Sequence, residues 1–305
     1  MEDFISQINL SRALGVPRVF VESMACRDEV IYISAVYRQG RVFCGFDHSF
    51  KALFQISEDI LAGFGNWDYR AMTVSPEGNM LLSGRNNRSA GGMSVFSINP
   101  SGEVTHLRDL PGIQHASEMA EHQGSLFFHS PLYDTPLVRF DPGFDTPRPM
   151  GVFPVDRIKV ADRKALLHHG GDVIWLVYET VPGGVSCLDC HGREMFYHVL
   201  NAEDKGIDGM TAVIDSDLNS DTGELLVMTA GDGGKPLILR AVECNGKMTE
   251  KMRFHRDLRR FCTGAGGRLF WSITRFNVIY MFIHLDIYSC TLTTLESGRL
   301  EGVLQ

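Results

Sequence analysis

The sequence predicts an all-β fold, a six-bladed β-propeller of four-stranded antiparallel blades, and three observations lead there. A glycine followed by an apolar run recurs as Gly40-Arg-Val-Phe-Cys, Gly78-Asn-Met-Leu-Leu, Gly124-Ser-Leu-Phe-Phe, Gly171-Asp-Val-Ile-Trp, Gly223-Glu-Leu-Leu-Val and Gly267-Arg-Leu-Phe-Trp. The intervals are 38, 46, 47, 52 and 44 residues, the length of a propeller blade. Finally, hairpin chemistry punctuates the segments that follow, as in Asn99-Pro-Ser-Gly102, Asp141-Pro-Gly143 and Asn245-Gly246.

Taken in chain order, residues 1–25 precede the first recognisable blade. Val16 to Val21 is read as a strand that pairs into the last blade and closes the ring, because an unclosed ring leaves exposed edges. Phe4 to Leu14 is read as a short helix. Each innermost strand lies just before its glycine, as Tyr69 to Val74 does before Gly78. The glycine supplies the turn, and the apolar run behind it makes a strand buried between blades. Blade five departs from this grammar: Ile214-Asp-Ser-Asp-Leu-Asn-Ser-Asp-Thr-Gly223 reads as a lengthened, solvated hairpin. Nothing marks a linker, so residues 1–305 are expected to form one domain.

Composition bounds the function. The chain has 305 residues, 44% of them hydrophobic, and a net charge of −8, which disfavours a general affinity for nucleic acid or an anionic membrane. Met1-Glu2-Asp3-Phe4 carries acidic residues and no following apolar h-region, and the apolar stretch Phe276 to Ile287 is interrupted by Asn277, His284 and Asp286. A soluble, cytoplasmic protein is the expectation. Seven cysteines without close clustering suit reduced thiols, with Cys44, Cys262 and Cys290 in strand-like runs.

Several motifs resemble chemistry. Cys187-Leu-Asp-Cys190-His191 fits the haem-attachment pattern, yet it aligns with the polar turns of the sister blades, so haem is disfavoured. Gly231-Asp-Gly-Gly-Lys235 lacks the phosphate-loop spacing and is followed by Pro236. On one strand, alternation places Glu118 and His122 on the same face, a pair that suits either a metal or a solvated strand end.

Position is more informative than motif. Innermost strands line the channel of a propeller, and counting eight residues back from each turn glycine gives Tyr32, Arg70, Ala116, Arg163 and Arg259. Asp68, His115, Ser117, Lys164 and Arg260 are their neighbours. Arginines at one level repel one another unless they meet carboxylates or an anionic ligand. Either Arg70, Arg163 and Arg259 bind an anionic or oxygen-rich metabolite, or they pair with Asp68, Asp162 and Asp257.

Tyr69-Arg-Ala-Met-Thr-Val-Ser-Pro-Glu-Gly-Asn-Met-Leu and Asp208-Gly-Met-Thr resemble blade signatures of the regucalcin and gluconolactonase family of six-bladed propellers. The resemblance implies that Asp208 is a ligand of a divalent metal, calcium or another, and a base in lactone hydrolysis. It implies Glu22 as an N-terminal glutamate ligand. The family's asparagine ligands have no match near Arg70 and Ser117, and Asn66 is out of register.

Two function classes follow. One is an enzyme or metabolite binder at the channel mouth, lactonase-like or cyclase- and isomerase-like. There Asp208, with Glu118 or His115, is the general base, and Arg70, Arg163 and Arg259 stabilise a developing oxyanion. Asp68, Ser117 and Tyr32 complete that substrate site. The other class is a non-catalytic scaffold that binds a peptide of a protein partner on its rim.

Overall fold

The computed structural model describes residues 6–16, 19–62, 67–86, 92–111, 113, 116, 118–129, 137–143, 146–150, 165–179, 183–200, 212–219, 222–230, 237–254, 258–265, 268–277 and 282–291. Strand β1 (Ser6–Asn9) leads into helix α1 (Leu10–Ala13), which Asn9 caps by accepting a 2.9 Å hydrogen bond from the Arg12 amide. The first sheet then runs β2 (Phe20–Arg27), β3 (Val30–Tyr37), β4 (Gly40–Asp47) and β5 (Ala52–Ser57). After the short helix α2 (Glu58–Ala62) comes a second sheet of β6 (Trp67–Val74), β7 (Met80–Asn86), β8 (Gly92–Ile98) and β9 (Val104–Leu110). The third consists of β10 (Glu118–His122), β11 (Ser125–His129), β12 (Leu137–Phe140) and β13 (Arg148–Pro149). The fourth comprises β14 (Ala165–Gly170), β15 (Val173–Tyr178), β16 (Gly183–Asp189) and β17 (Glu194–Leu200). The fifth comprises β18 (Ala212–Leu218), β19 (Leu225–Ala230), β20 (Leu237–Val242) and β21 (Met248–Phe254).

These five sheets each use four consecutive antiparallel strands. The remaining sheet is composite: β22 (Leu258–Gly264), β23 (Arg268–Asn277) and β24 (Phe282–Thr291) accept β1 on the far side of β24. The expectation of six like blades is thus met by five built from consecutive strands. The strand joining the last sheet is Ser6–Asn9, in register with Asp286–Ser289, not Val16 to Val21. Val21 instead lies within β2, paired with Ala35 of β3, and Val19 is buried just ahead of that strand. The expected N-terminal helix is reduced to Leu10–Ala13, whose Leu10 sits in the core with Leu14. Among the described residues no helix is long and apolar enough to cross a membrane.

The glycine repeat holds with one phase error. Gly78, Gly124, Gly171 and Gly223 all have positive φ and all precede the second strand of their sheet. Gly40 instead opens β4, the third strand. In the first sheet the corresponding turn is Asp28-Glu29, where Asp28 takes φ 53°, a conformation aspartate tolerates. Measured from Asp28, the first interval becomes 50 residues, in line with the others.

A second turn recurs between the third and fourth strands. Asn99 Oδ1 accepts from the Ser101 and Glu103 amides at 3.0 and 2.9 Å, and Asp189 Oδ1 accepts from His191 and Arg193 at 2.9 Å. Asp47 Oδ1 does the same with Ser49 and Lys51. In this last copy Phe50 replaces glycine at φ 61°. Its left-handed backbone costs about 1–2 kcal/mol, an amount that burying the ring edge-on to Phe270 offsets.

The chain divides into two compact units, residues 1–55 with 201–305 and residues 56–200. In the first unit the core between the fifth and composite sheets is built from Leu226, Met228, Leu239, Phe261, Leu269 and Trp271. Ile31, Ile33, Cys44, Phe46, Cys262 and Phe270 form its companion beside the first sheet. In the second unit the corresponding layers hold Leu81, Val95, Met119, Phe128 and Phe140, then Phe127, Leu167, Ile174 and Leu176. The apolar runs behind the glycines supply most of these side chains, each worth about 2 kcal/mol or more when fully buried.

Candidate functional site: the bulged inner strands

The innermost strands of the first unit are β18, β22 and β2, and those of the second are β6, β10 and β14; within each unit they lie side by side. Four of the six carry a bulge against their second strand. The register slips between Val21 and Ser23, Tyr69 and Ala71, Val213 and Asp215, and Leu258 and Arg260. The extra residues are therefore Glu22, Arg70, Ile214 and Arg259. A bulge breaks the ladder locally and re-aims one side chain, which is why bulges gather at functional sites. Counting back from the turn glycines reaches Arg70 and Arg259. In the first sheet the count lands on Tyr32, one strand too far out, and Glu22 holds the equivalent place. Tyr32 lies in β3, fully buried against Phe54 with ring centroids 6.2 Å apart. Burial pushes its phenol up to about 12, so it lines no inner wall.

In the first unit these strands are stitched by charge. Arg41 donates to the Glu22 carboxylate through Nε at 2.7 Å and Nη2 at 3.2 Å. Arg260 donates through Nε to the Glu22 carbonyl oxygen at 2.6 Å, and through Nη1 to the Ile214 carbonyl and Asp215 Oδ1, both at 3.2 Å. One guanidinium thus ties β18, β22 and β2 together. Asp215 Oδ2 accepts from the Phe261 amide at 2.8 Å. Asp217 Oδ2 accepts from Thr263 N and Oγ1 at 2.7 and 2.8 Å. Burial raises the Asp217 carboxyl to about 7, and the Thr263 hydrogen bonds only partly counter it.

This overturns the reading of residues 214–223 as a solvated insertion. Ala212–Leu218 is strand, Asp215, Ser216 and Asn219 are buried, and the turn is closed by Asn219 with Glu224. Sequence polarity misleads here because the partners of these carboxylates, Arg260, Phe261 and Thr263, lie some forty-five residues away.

In the second unit Arg70 donates to Asp68 at 2.6 Å, with side chains 36% and 53% exposed. Glu118 is half-buried on β10 opposite His129. His122 stacks on His169, with centroids 4.0 Å apart and planes at 15°, so it is held by a ring rather than poised with Glu118. Burial drives His169 down to about 3 and His168 to about 4. Asp208, His115, Ser117 and Arg163 lie outside the described residues, as does the side chain of Arg259. Elsewhere in this unit, Arg139, Arg148, Pro149, Met150, Cys190 and His191 line a cavity of about 140 Å³. Cys187 is buried in β16 and Cys190 sits in the turn, so the haem-like motif is split between core and surface.

The described residues do not fit a divalent cation. The Glu22 carboxylate already accepts two bonds from Arg41, Arg70 stands near where the resemblance places an asparagine ligand, and no group of three His, Cys, Asp or Glu comes together among the described residues.

No protein-family model matches the sequence, and no curated protein matches it. Among solved structures, a streptogramin B lyase structure superposes with a TM-score of 0.54 at 10% identity, covering 93% of this chain and 97% of that one. That likeness shows the fold alone, an all-β propeller of four-stranded antiparallel blades.

Proposed function

We propose that this protein binds a small, oxygen-rich, anionic metabolite at the bulged ends of its inner strands and acts on it by general-base chemistry, lactonase-like or cyclase- and isomerase-like. The observation that carries the reading is the register slip that puts an arginine on the bulge of β6 and of β22. Arginine donates in a planar fork suited to carboxylate and carbonyl oxygens, and it stays charged at any working pH.

Each unit offers its own set. In the first, Arg259 is the oxyanion donor and Asp208, just ahead of β18, is the base. The Arg41–Glu22 and Arg260–Asp215 pairs fix the strands that carry them. In the second, Arg70 is the donor, oriented by Asp68. Glu118 and His115 serve as base, and Ser117 and Arg163 as further contacts. A distant neighbour that is a lyase favours chemistry on a cyclic or oxygenated small molecule over pure scaffolding. The reading takes the composite sheet as a sixth blade and residues 1–305 as one domain.

The test is calorimetric titration with a panel of sugar acids and lactones, followed by activity on the best binder. Arg259→Ala or Arg70→Ala lowers affinity about 10- to 100-fold, the loss of one charge-assisted pair. Asp208→Ala abolishes turnover while binding persists where Arg259 governs affinity, and Glu118→Ala does so where Arg70 governs it. A ligand whose affinity ignores both arginines, or turnover that survives Asp208→Ala and Glu118→Ala together, refutes the assignment.

A further inference from the structure

At the other end of β2 from Glu22, four residues and about 13 Å along the strand, a different chemistry is assembled. Cys26 is the second-last residue of β2, and Cys262 lies on the neighbouring inner strand β22. Cys26 packs against the buried cluster that contains Cys262 and Phe270. His48, on the turn between β4 and β5, places Nε2 3.6 Å from the Cys26 sulfur. The Arg268 guanidinium contacts His48 Nδ1. Arginine has only donors, so Nδ1 must be the lone-pair nitrogen and Nε2 carries the hydrogen that points at sulfur. The Phe270 ring, 5.0 Å from the imidazole centroid, holds His48 in place.

Room for this cluster comes from a missing side chain. A Cβ on Gly264 would lie 2.9 Å from the Phe270 ring, 3.2 Å from Cys26 Sγ and 3.4 Å from His48 Nε2. Cys26 is half-buried and reachable from solvent, whereas Cys262 is fully buried. The donors around Cys26 bring its thiol down to about 6, with the Cys262 thiol the largest cause and His48 and Arg268 adding to it. Burial and the neighbouring Cys26 push the Cys262 thiol the opposite way. An accessible thiolate beside a protonated, buried second thiol is the arrangement of an attacking and a resolving cysteine.

We propose that Cys26 and Cys262 form a hydroperoxide-sensitive thiol pair whose disulfide joins the inner strand β2 to the inner strand β22. The Cys26 thiolate attacks one oxygen of hydrogen peroxide, the O–O bond breaks, and the departing hydroxide takes a proton to become water. Cys26 is then a sulfenic acid. The Cys262 sulfur attacks Cys26, its proton passes to the leaving hydroxide, and a second water departs. The two thiols together lose two electrons and the peroxide gains them. A dithiol reverses the change. The bridge crosses the seam between the first and composite sheets, so oxidation locks together the N-terminal and C-terminal parts of the first unit.

The experiment treats the whole protein with one equivalent of hydrogen peroxide near neutral pH, blocks remaining thiols with N-ethylmaleimide and maps the peptides. The expected result is a loss of about 2 Da, a linked Cys26–Cys262 peptide, and reversal by dithiothreitol. Cys26 reacts about tenfold faster than Cys190 or Cys244. In Cys262→Ala, dimedone captures a sulfenic acid at Cys26; Cys26→Ser gives neither product. His48→Asn slows the first step without changing the pairing. Oxidation of Cys190 or Cys244 ahead of Cys26, or a bridge between any other pair, overturns the proposal. The linked peptide and the order of oxidation are both read on the wild-type chain, so they decide the matter even where a variant fails to fold.

Discussion

Between β18 and β22 of the first unit the seam is made by Asp215, Asp217, Arg260 and Thr263. Between β10 and β14 of the second unit it is made by Ala120, Ala165, Leu167 and the stacked rings of His122 and His169. At their innermost strands the neighbouring blades therefore meet in two ways, one by charge and main-chain capture, the other by apolar packing with neutral imidazoles. The two respond oppositely to pH. Asp217 is raised from 3.8 to about 7 in the folded state, so it keeps a proton that the unfolded chain loses. Its contribution is present at acid pH and is lost as pH rises through about 7. His168 and His169 are lowered from 6.5 to about 4 and about 3. They exclude a proton that the unfolded chain binds, so their contribution is present above 6.5 and is lost as pH falls through these values.

Four perturbations sharpen that contrast, each read by hydrogen exchange resolved to the two units. Arg260→Ala has the largest effect, about 3–5 kcal/mol, because it strands the buried Asp215 carboxylate; exchange accelerates in the first unit and not in the second. Acidification from neutral to about pH 4 destabilises the second unit, and His169→Leu moves its acid midpoint downward. Asp217→Asn stabilises the first unit by about 1–2 kcal/mol near pH 8 and by nothing measurable near pH 4. The amide oxygen still accepts both Thr263 bonds, so only the charge is removed. Gly264→Ala costs about 1 kcal/mol by crowding Phe270 and Cys26, and it slows alkylation of Cys26. An equal response of the two units to any of the first three would erase the distinction.

The sequence announces what repeats locally. Glycine turns, apolar second strands and the Asn99 and Asp189 corners all depend on residues a few positions apart, and each is where the pattern places it. The first blade falls out of phase with the glycine count because Asp28 does a glycine's work. The strand that joins the last sheet is hidden from local pattern because its pairing, Ile8 with Ile287, spans nearly the whole chain. Of the site, Arg70 and Arg259 are legible because each lies eight residues ahead of a repeat glycine, whereas Ile214 lies nine ahead of Gly223 and Glu22 six ahead of Asp28, so the same count misses them. Glu22 is legible only by resemblance, and the structure gives it to Arg41. The Cys26–His48–Arg268 cluster leaves no signal, since its members come from the end of β2, the turn after β4 and the start of β23.

The most direct test of the central claim is native mass spectrometry of the protein purified gently from its own source, set beside its denatured mass. The account predicts a retained small molecule that is absent from the protein carrying both Arg259→Ala and Arg70→Ala. A bound polypeptide with no small-molecule excess would contradict it.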